Sequence, residues 1–514
     1  MHKPRAMFQG TASSVGKSVL VAGLCRIFYE DGYRVAPFKS QNMSLNSYIT
    51  EDGKEMGRAQ VMQAEAAGIK PHVLMNPILI KPTGDMKAQY IIEGEVFKDM
   101  TAMAYQQFKP ELKSRLKVLY EKLEEDYDVV VLEGAGSPAE INLRAGDLVN
   151  MGMAELIDAP VILIGDIDKG GVFASLVGTI MLLSEEERKR VKGVIINKFR
   201  GDIEILKPGL KMLEDIIHIP VLGVVPYFKL DLEDEDSVST VLDTRPTMTT
   251  EQLVIKIIRL PHLSNFTDFN RLFALEGVSV SYATHAYELE DADLVILPGS
   301  KNTIDDLNFL KESGFAPVLN KLKALGKTIF GICGGYQMLG RHLYNPSLIE
   351  SAVEQVEGLG LLPLDTQFET EKTMTQVKGK IISAQGPLKD CLNQPIEGYE
   401  IHMGQTIWKD ACLIPFVVLH ESLGIQDHRI EGYHDPDALV YGTYIHGIFD
   451  KLGFTLPFLN ALALRKGLGE NTIRLSGSMH TDYHAFKESQ YSQLANVLRD
   501  SLDLEAIRHI LFES

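Results

Sequence analysis

Short apolar runs alternate with helix-patterned segments along most of this 514-residue chain, in two series separated by a break. In the first series, from Arg5 to about Val225, the runs Asp128 to Leu132, Pro160 to Ile164 and Lys192 to Ile196 are rich in Val, Ile and Leu. Strands apolar on both faces must be covered on both, and a parallel sheet flanked by helices does this. Between Asp99 and Asp126, Met103, Phe108, Leu112, Leu116, Leu119 and Leu123 recur at three- and four-residue spacing, which predicts an amphipathic helix over one sheet face. The break is Asp231 to Gln252, acidic at L-E-D-E-D and then rich in Ser, Thr and Pro without apolar periodicity, which reads as a linker. A second α/β series follows, with strands expected at Leu253 to Leu260, Asp293 to Leu297 and Thr328 to Ile332. From about Leu452 the pattern is mainly helical. The expectation is an α/β protein of two domains with mainly parallel sheets: residues 1–230, a linker 231–252, a second domain 253–451 and a helical extension 452–514. A chain of this length exceeds what one hydrophobic core supports, which agrees with that division.

Composition excludes several classes. At 45% hydrophobic and 23% charged residues the chain is of ordinary globular type. Its formal net charge of -18 opposes attraction to polyanions and no dense run of Lys and Arg offsets it, so nucleic acid is not an expected partner. Cys25, Cys333, Cys391 and Cys412 lack C-x-x-C spacing, which fits neither a disulfide framework nor a zinc site and suits a reducing cytoplasm. The opening residues hold no signal-peptide apolar region, and the longest apolar stretches are strand-sized, so a cytoplasmic protein without membrane association is expected.

The first chemical motif is G-T-A-S-S-V-G-K-S, Gly10 to Ser18, placed between an apolar strand and a helix. Glycines there let backbone N–H groups close around an anion, the helix N-terminus adds a favourable dipole, Lys17 supplies charge and Ser18 can ligate Mg²⁺. Gly10, Thr11, Gly16, Lys17 and Ser18 are therefore candidate nucleotide-binding residues. Five residues rather than the usual four separate Gly10 from Gly16. Glu133 follows a strand and precedes G-A-G-S-P, at the ligand side of such sheets, and could complete the cation shell beside Ser18. Asp166 and Asp168 in G-D-I-D-K-G-G are candidates for metal, phosphate or acyl-phosphate contacts, or else form a solvated turn with a helix cap. Asn197, after a third strand, either reads a nucleotide base or makes a strand-end turn.

The second motif is T-I-F-G-I-C-G-G-Y-Q-M-L-G, which puts Cys333 between a strand and a helix. Gly331, Gly334 and Gly335 make a sharp turn possible there, so the sulfur is presented while the following N–H groups stabilise thiolate and oxyanion. A thiol nucleophile needs an imidazole within hydrogen-bond reach, and His446 in V-Y-G-T-Y-I-H-G-I-F-D ends a strand in the same domain. Glu400 and His402, in G-Y-E-I-H-M-G, are candidates for supporting that site, or belong to a structural turn.

The phosphate loop resembles the variant loop of dethiobiotin synthetase and its relatives, and the Cys333 and His446 segments resemble class I glutamine amidotransferases. The Glu that those enzymes carry two residues after the histidine is Ile448 here. This departure matches the branch containing cobyric acid and cobyrinic acid a,c-diamide synthases, and implies a Cys-His dyad or a base oriented by another group. L-P-G-S-K-N-T around Gly299 resembles the oxyanion loop of that branch. With K-S-Q-N-M-S-L-N-S from Lys39, R-A-Q-V-M-Q-A-E-A-A-G from Arg58, G-S-P-A-E-I-N-L from Gly136 and G-D-I-D-K-G-G-V-F from Gly165, nearly the whole chain resembles the cobyric acid synthase family. What that resemblance implies is ATP- and glutamine-dependent amidation of the b, d, e and g carboxylates of adenosylcobyrinic acid a,c-diamide, with Mg²⁺ and no tightly held organic cofactor. Other readings remain open at this point. One is another ATP-dependent amidotransferase, such as a cobyrinic acid a,c-diamide synthase. Another, of a different class, is a nucleotide-switched ATPase whose glutaminase-like half only binds.

Overall fold

Six of the apolar runs form one sheet, in the order Val221–Pro226, Val191–Phe199, Val161–Asp166, Arg5–Gly10, Val129–Glu133, Val35–Phe38. Every neighbouring pair is parallel. The register sets Phe8 beside both Ile162 and Glu133, so the strands ending at Gly10, Glu133 and Asp166 open onto the same edge. That edge is where the chain switches from one side of Arg5–Gly10 to the other, the usual crevice for ligands in such sheets. The computed structural model describes residues 3–83, 87–228, 230, 251–408, 412–475 and 483–513.

Helix Lys17–Glu30 starts directly at the phosphate loop and is buried on nearly all sides, including Leu20, Val21, Leu24, Cys25, Ile27 and Phe28. The sheet covers one face. The other is covered by the last two helices, Tyr483–Ser501 and Leu504–Glu513, whose Leu494, Leu498 and Ile507 join the same apolar cluster. A methyl group on Gly23 would lie 2.4 Å from Leu498 Cδ1, so the helices meet where the sequence has no side chain. Ion pairs Arg26–Glu488, Lys487–Glu65 and Arg499–Asp31 frame the contact.

Helix Ala102–Glu125 is capped by Thr101, whose hydroxyl accepts from Ala104 N at 3.3 Å. It buries Tyr105, Leu112 and Leu116 against a four-stranded sheet of Gln41–Met43, Ile78–Pro82, Lys87–Ile92 and Glu95–Thr101, which the sequence reading did not anticipate. Met103, expected in the buried stripe, is 77% exposed. It stands nine residues from Leu112, about half a turn out of phase at 3.6 residues per turn, so Tyr105 leads the stripe instead.

Among the described residues the second sheet has twelve strands. Five are parallel: Val278–Ala283, Leu253–Ile258, Leu294–Leu297, Thr328–Ile332 and Val440–Thr443. It continues antiparallel through Ile430–His434, Ile414–Ser422 and Leu364–Ile381, the last paired with Pro395–Trp408. The parallel part matches the sequence expectation, and the antiparallel extension is an addition to it.

Two compact units result: Met1–Ser44, Glu55–Val238 and His484–Ser514 form the first, and Leu45–Lys54 with Ser239–Tyr483 the second. The expected linear division therefore differs in two places. The extension 452–514 is divided, because helix Leu452–Lys466 packs into the core of the second unit while the last two helices complete that of the first. Residues 45–54 leave the first unit for the second. The expected linker lies, except for Glu251 and Gln252, outside the described residues. Among the described residues no helix is long and apolar enough to cross a membrane.

Candidate functional site

In the first unit, the chain turns after Gly10, with Thr11 N donating to Ile164 O at 2.9 Å. Gly16 takes the left-handed φ of 88°, and a Cβ there would lie 2.3 Å from Asn197 Nδ2, so both conformation and space demand glycine. Lys17 folds back over the loop and donates from Nζ to Ala12 O at 3.1 Å and Gly136 O at 3.3 Å. A Cβ on Gly10 would come within 2.9 Å of that ammonium. Loop, ammonium and helix N-terminus thus form a concave arrangement of donors suited to phosphate oxygens.

Asn197 lies under the cradle, where its Nδ2 donates to Val15 O at 2.8 Å. Lys198 Nζ donates to Ser14 O and to Asp166 Oδ2. Asp166 also accepts from Asp168 N at 2.9 Å, whereas the Asp168 carboxylate is exposed and takes Arg200. The structure thus connects Asn197 and Asp166 to the loop backbone, and leaves Asp168 at the rim.

Glu133 is 1% exposed and closes the floor. Its Oε1 accepts from Ser18 Oγ at 2.8 Å and from Lys39 Nζ at 2.9 Å, and its Oε2 from Gln63 Nε2 at 2.6 Å, with Gln60 Nε2 at 3.4 Å. Burial alone would raise its pKa, but the ammonium groups of Lys39 and Lys17, with the Gln63 amide, hold it below the usual value. An ionised carboxylate and a hydroxyl side by side beneath a phosphate cradle are hard oxygen donors. They fit a cation such as Mg²⁺, which takes few protein ligands and completes its shell with phosphate and water.

In the second unit, Cys333 follows strand Thr328–Ile332 with φ 49° and ψ −110°, a strained conformation for a residue with a side chain. The turn is held by Cys333 N donating to Thr443 O at 2.8 Å, and Sγ lies 3.5 Å from Ile401 O. A Cβ on Gly334 would meet Ser300 N at 2.9 Å, and one on Gly299 would meet His446 Cε1 at 3.1 Å. The Gly299–Ser300 segment, Gly334 and the imidazole are therefore packed together. Burial pushes the Cys391 thiol up to about 12 and the Cys25 thiol higher still, so both are inert.

His446 is fully buried, and its Nδ1 lies 2.7 Å from Asp268 Oδ2. Asp268 Oδ1 accepts from Gly447 N at 3.1 Å, which fixes the carboxylate. Burial would lower the imidazole pKa; the charge and hydrogen bond of Asp268, with the hydrogen bond to Cys333, overcome this and raise it to about 10. The ring is thus an imidazolium at neutral pH, oriented by Asp268, and Ile448 is buried close by in sequence. Tyr399 stacks on the ring with centroids 5.2 Å apart, and Tyr399 and His446 exchange backbone hydrogen bonds.

Glu400 is buried and accepts from both Arg429 terminal nitrogens, a structural clamp in the antiparallel part of the sheet. His402 lies against Tyr444 with ring centroids 3.8 Å apart, and its Nδ1 faces Gly404 O at 2.7 Å. Burial drops its pKa to about 3, so the ring is neutral, and its enclosed Nε2 has no hydrogen-bond partner among the described residues. Sequence reasoning missed Asp268, Lys39 and Gln63. The run S-N-F-T-D-F after the first strand of the second unit, polar groups among aromatics at a strand's carboxyl end, was the available signal for Asp268.

Residues 6–238 match the family described as the CobQ/CobB/MinD/ParA nucleotide binding domain, and residues 254–454 the CobB/CobQ-like glutamine amidotransferase domain. With both halves in one polypeptide, the chain is a glutamine-hydrolysing amidoligase. It is 54% identical over 506 residues to the cobyric acid synthase of Alkaliphilus metalliredigens, covering 98% of this chain and 99% of that one. It is 51% identical to those of Photorhabdus laumondii, over 98% of this chain and 96% of that one, and of a Thermoanaerobacter strain, over 99% and 98%. The chain belongs to the cobyric acid synthase family.

Proposed function

We propose that this enzyme converts adenosylcobyrinic acid a,c-diamide to cobyric acid by amidating its b, d, e and g carboxylates, consuming ATP and glutamine at each. The observation that carries the reading is 54% identity to a cobyric acid synthase over 98% of the chain, and the contacts of Lys17 with the loop, of Ser18 with Glu133 and of His446 with Asp268 support it.

A carboxylate oxygen is a poor leaving group, so ammonia cannot displace it directly. In the first unit the substrate carboxylate attacks the γ-phosphorus of ATP, giving an acyl phosphate and ADP. Gly10, Thr11, Gly16 and Lys17 hold the phosphates, and Asn197 maintains the loop from below. Ser18 and Glu133 would hold Mg²⁺, whose charge offsets that developing on the transferred phosphoryl group. Lys39, now on Glu133 Oε1, would then supply a second positive charge at the site.

In the second unit the Cys333 sulfur attacks the glutamine side-chain carbonyl, and the oxyanion forms beside Gly299 and Gly334. His446 gives its proton to the departing nitrogen, releasing ammonia and leaving a glutamyl thioester. It then takes a proton from the water that hydrolyses the thioester to glutamate. Asp268 keeps the ring oriented and charged. Ammonia attacks the acyl phosphate carbon and phosphate leaves.

The test is mass spectrometry of adenosylcobyrinic acid a,c-diamide incubated with the enzyme, ATP, Mg²⁺ and glutamine. Each conversion lowers the mass by about one unit, and four successive losses are expected. Glutamine hydrolysis with no change in the corrinoid would move the substrate assignment to another carboxylic acid.

A further inference from the structure

Residues Leu45–Lys54 come from the sequence of the first domain but belong to the second compact unit. There Asn46, Ser47, Ile49 and Thr50 are buried and the segment is specifically held. Asn46 Oδ1 accepts from Phe266 N at 3.0 Å, and Ser47 N donates to Asn265 Oδ1 at 3.1 Å, a reciprocal clamp across two asparagines. On the other side, Tyr399 Oη donates to Ser47 O, while Gln376 Nε2 donates to Ile49 O at 2.7 Å and to Tyr48 Oη at 2.9 Å.

The two groups gripped by this segment are those that flank the catalytic imidazole. Asn265 Nδ2 lies 3.3 Å from both ring nitrogens of His446, an equal spacing that puts the amide over the ring rather than in its plane. Asn265 itself takes a left-handed φ of 51°, and its carbonyl accepts from Asp268 N, so its seating also sets the turn that delivers Asp268. Tyr399 covers His446 with the rings 19° from parallel. An isolated glutaminase has no need to borrow these constraints from a distant segment. The residues bounding the segment in sequence are ligands of Glu133: Lys39 before it, Gln60 and Gln63 after it.

We propose that Asn265, seated by Asn46 and Ser47, is a positioning residue for His446, and that segment 45–54 is the element through which occupation of the Glu133 site sets the rate of glutamine hydrolysis. This rests on the assignment of Cys333 as the glutaminase nucleophile. A cation arriving at Ser18 and Glu133 competes with Lys39 and Gln63 for the carboxylate oxygens, and a γ-phosphate competes with Glu133 for the Lys39 ammonium. Any shift of those residues is carried along the chain to Asn46 and Ser47, and so to the tilt of the imidazole.

The experiment compares full-length wild type, Asn46→Ala, Asn46→Asp and Gln376→Leu. Glutamine hydrolysis is measured with and without ATP, Mg²⁺ and the corrinoid, and alkylation of the Cys333 peptide by iodoacetamide with and without a non-hydrolysable ATP analogue and Mg²⁺. In wild type, site ligands are expected to accelerate both. Asn46→Ala is expected to lose that response and about tenfold in kcat for hydrolysis, with KM for glutamine within about twofold. Asn46→Asp, which keeps the acceptor for Phe266 N, should restore the response, and ammonia-dependent amidation should be unchanged in all three variants. Gln376→Leu loosens the segment from its far side and should reproduce the loss if Asn46→Ala does not fold. A response equal to wild type in Asn46→Ala or Gln376→Leu, or ammonia-dependent synthesis falling in parallel with hydrolysis, would overturn the proposal. Persistence of hydrolysis in Cys333→Ala would instead overturn the nucleophile assignment beneath it.

Discussion

Replacing Asp268 by Asn tests the least expected member of the glutaminase site. The carboxylate lies 2.7 Å from His446 Nδ1 and also accepts from Gly447 N, so both of its oxygens are engaged. Asparagine keeps the shape but offers one acceptor oxygen, and its NH₂ favours the neutral tautomer in which Nδ1 accepts and Nε2 alone carries a proton, so the ring no longer rests as the imidazolium that donates to the leaving nitrogen. The charge is lost as well. Holding the imidazole pKa near 10 rather than 6.5 amounts to about 5 kcal/mol in favour of the imidazolium, at about 1.4 kcal/mol per pH unit. Only part of this is felt at the transition state, because the proton is passing to the leaving nitrogen. A fall of roughly 10²–10⁴ in kcat/KM for glutamine hydrolysis is expected. Glutamate release gives the rate, ammonia-dependent amidation gives the internal control, and ¹⁵N-histidine NMR follows the ring's charge. Wild-type His446 should stay charged to about pH 10, and the variant's should be neutral at pH 8. A loss below about tenfold with the ring still charged at pH 8 would refute the role given to Asp268.

Four other outcomes follow from the same geometry. Cys333→Ala should abolish glutamine-dependent synthesis and leave ammonia-dependent synthesis intact, while Lys17→Ala should remove both, measured as cobyric acid formed. Leu498→Ala opens a cavity against Gly23 and should cost about 2–5 kcal/mol, seen as a fall in thermal midpoint together with weaker ATP binding by calorimetry. Gly16→Ala should eliminate nucleotide binding with glutaminase activity retained, because the φ of 88° and the contact with Asn197 both reject a side chain. The His446–Asp268 pair also links stability to pH. The folded-state pKa is raised, so its stabilisation is full below 6.5 and is lost as pH rises toward about 10. The difference in thermal midpoint between wild type and Asp268→Asn should therefore shrink across that range.

What could be read from the chain was what lies close together along it. The phosphate loop is contiguous from Gly10 to Ser18, and the nucleophile turn is framed by Gly331, Gly334 and Gly335, so strand, loop and helix all appear in one window. Asp268 and His446 are 178 residues apart, and Lys39 and Glu133 94 apart, so nothing local announces either partnership. The second sheet's antiparallel half escaped for another reason. The burial of Leu364–Ile381 does not alternate cleanly along its length, because a register shift between Phe368 and Thr373 interrupts its pairing with Pro395–Trp408. The helical character of the C-terminal residues was legible from their spacing. Their destination was not, since an amphipathic stripe specifies that a helix packs and leaves its partner open.

The return of the last helices to the first unit has a consequence for how the protein is made. Domains usually fold in the order in which they emerge from the ribosome. Here the nucleotide-binding core stays incomplete until Leu494, Leu498 and Ile507 have been translated, after all of the glutaminase residues. The glutaminase, for its part, has to capture residues 45–54 from a chain synthesised long before it. A nascent enzyme therefore carries an unfinished ligase until those helices have been made, and a gene cut within 231–252 would encode two fragments each lacking a piece of its own core.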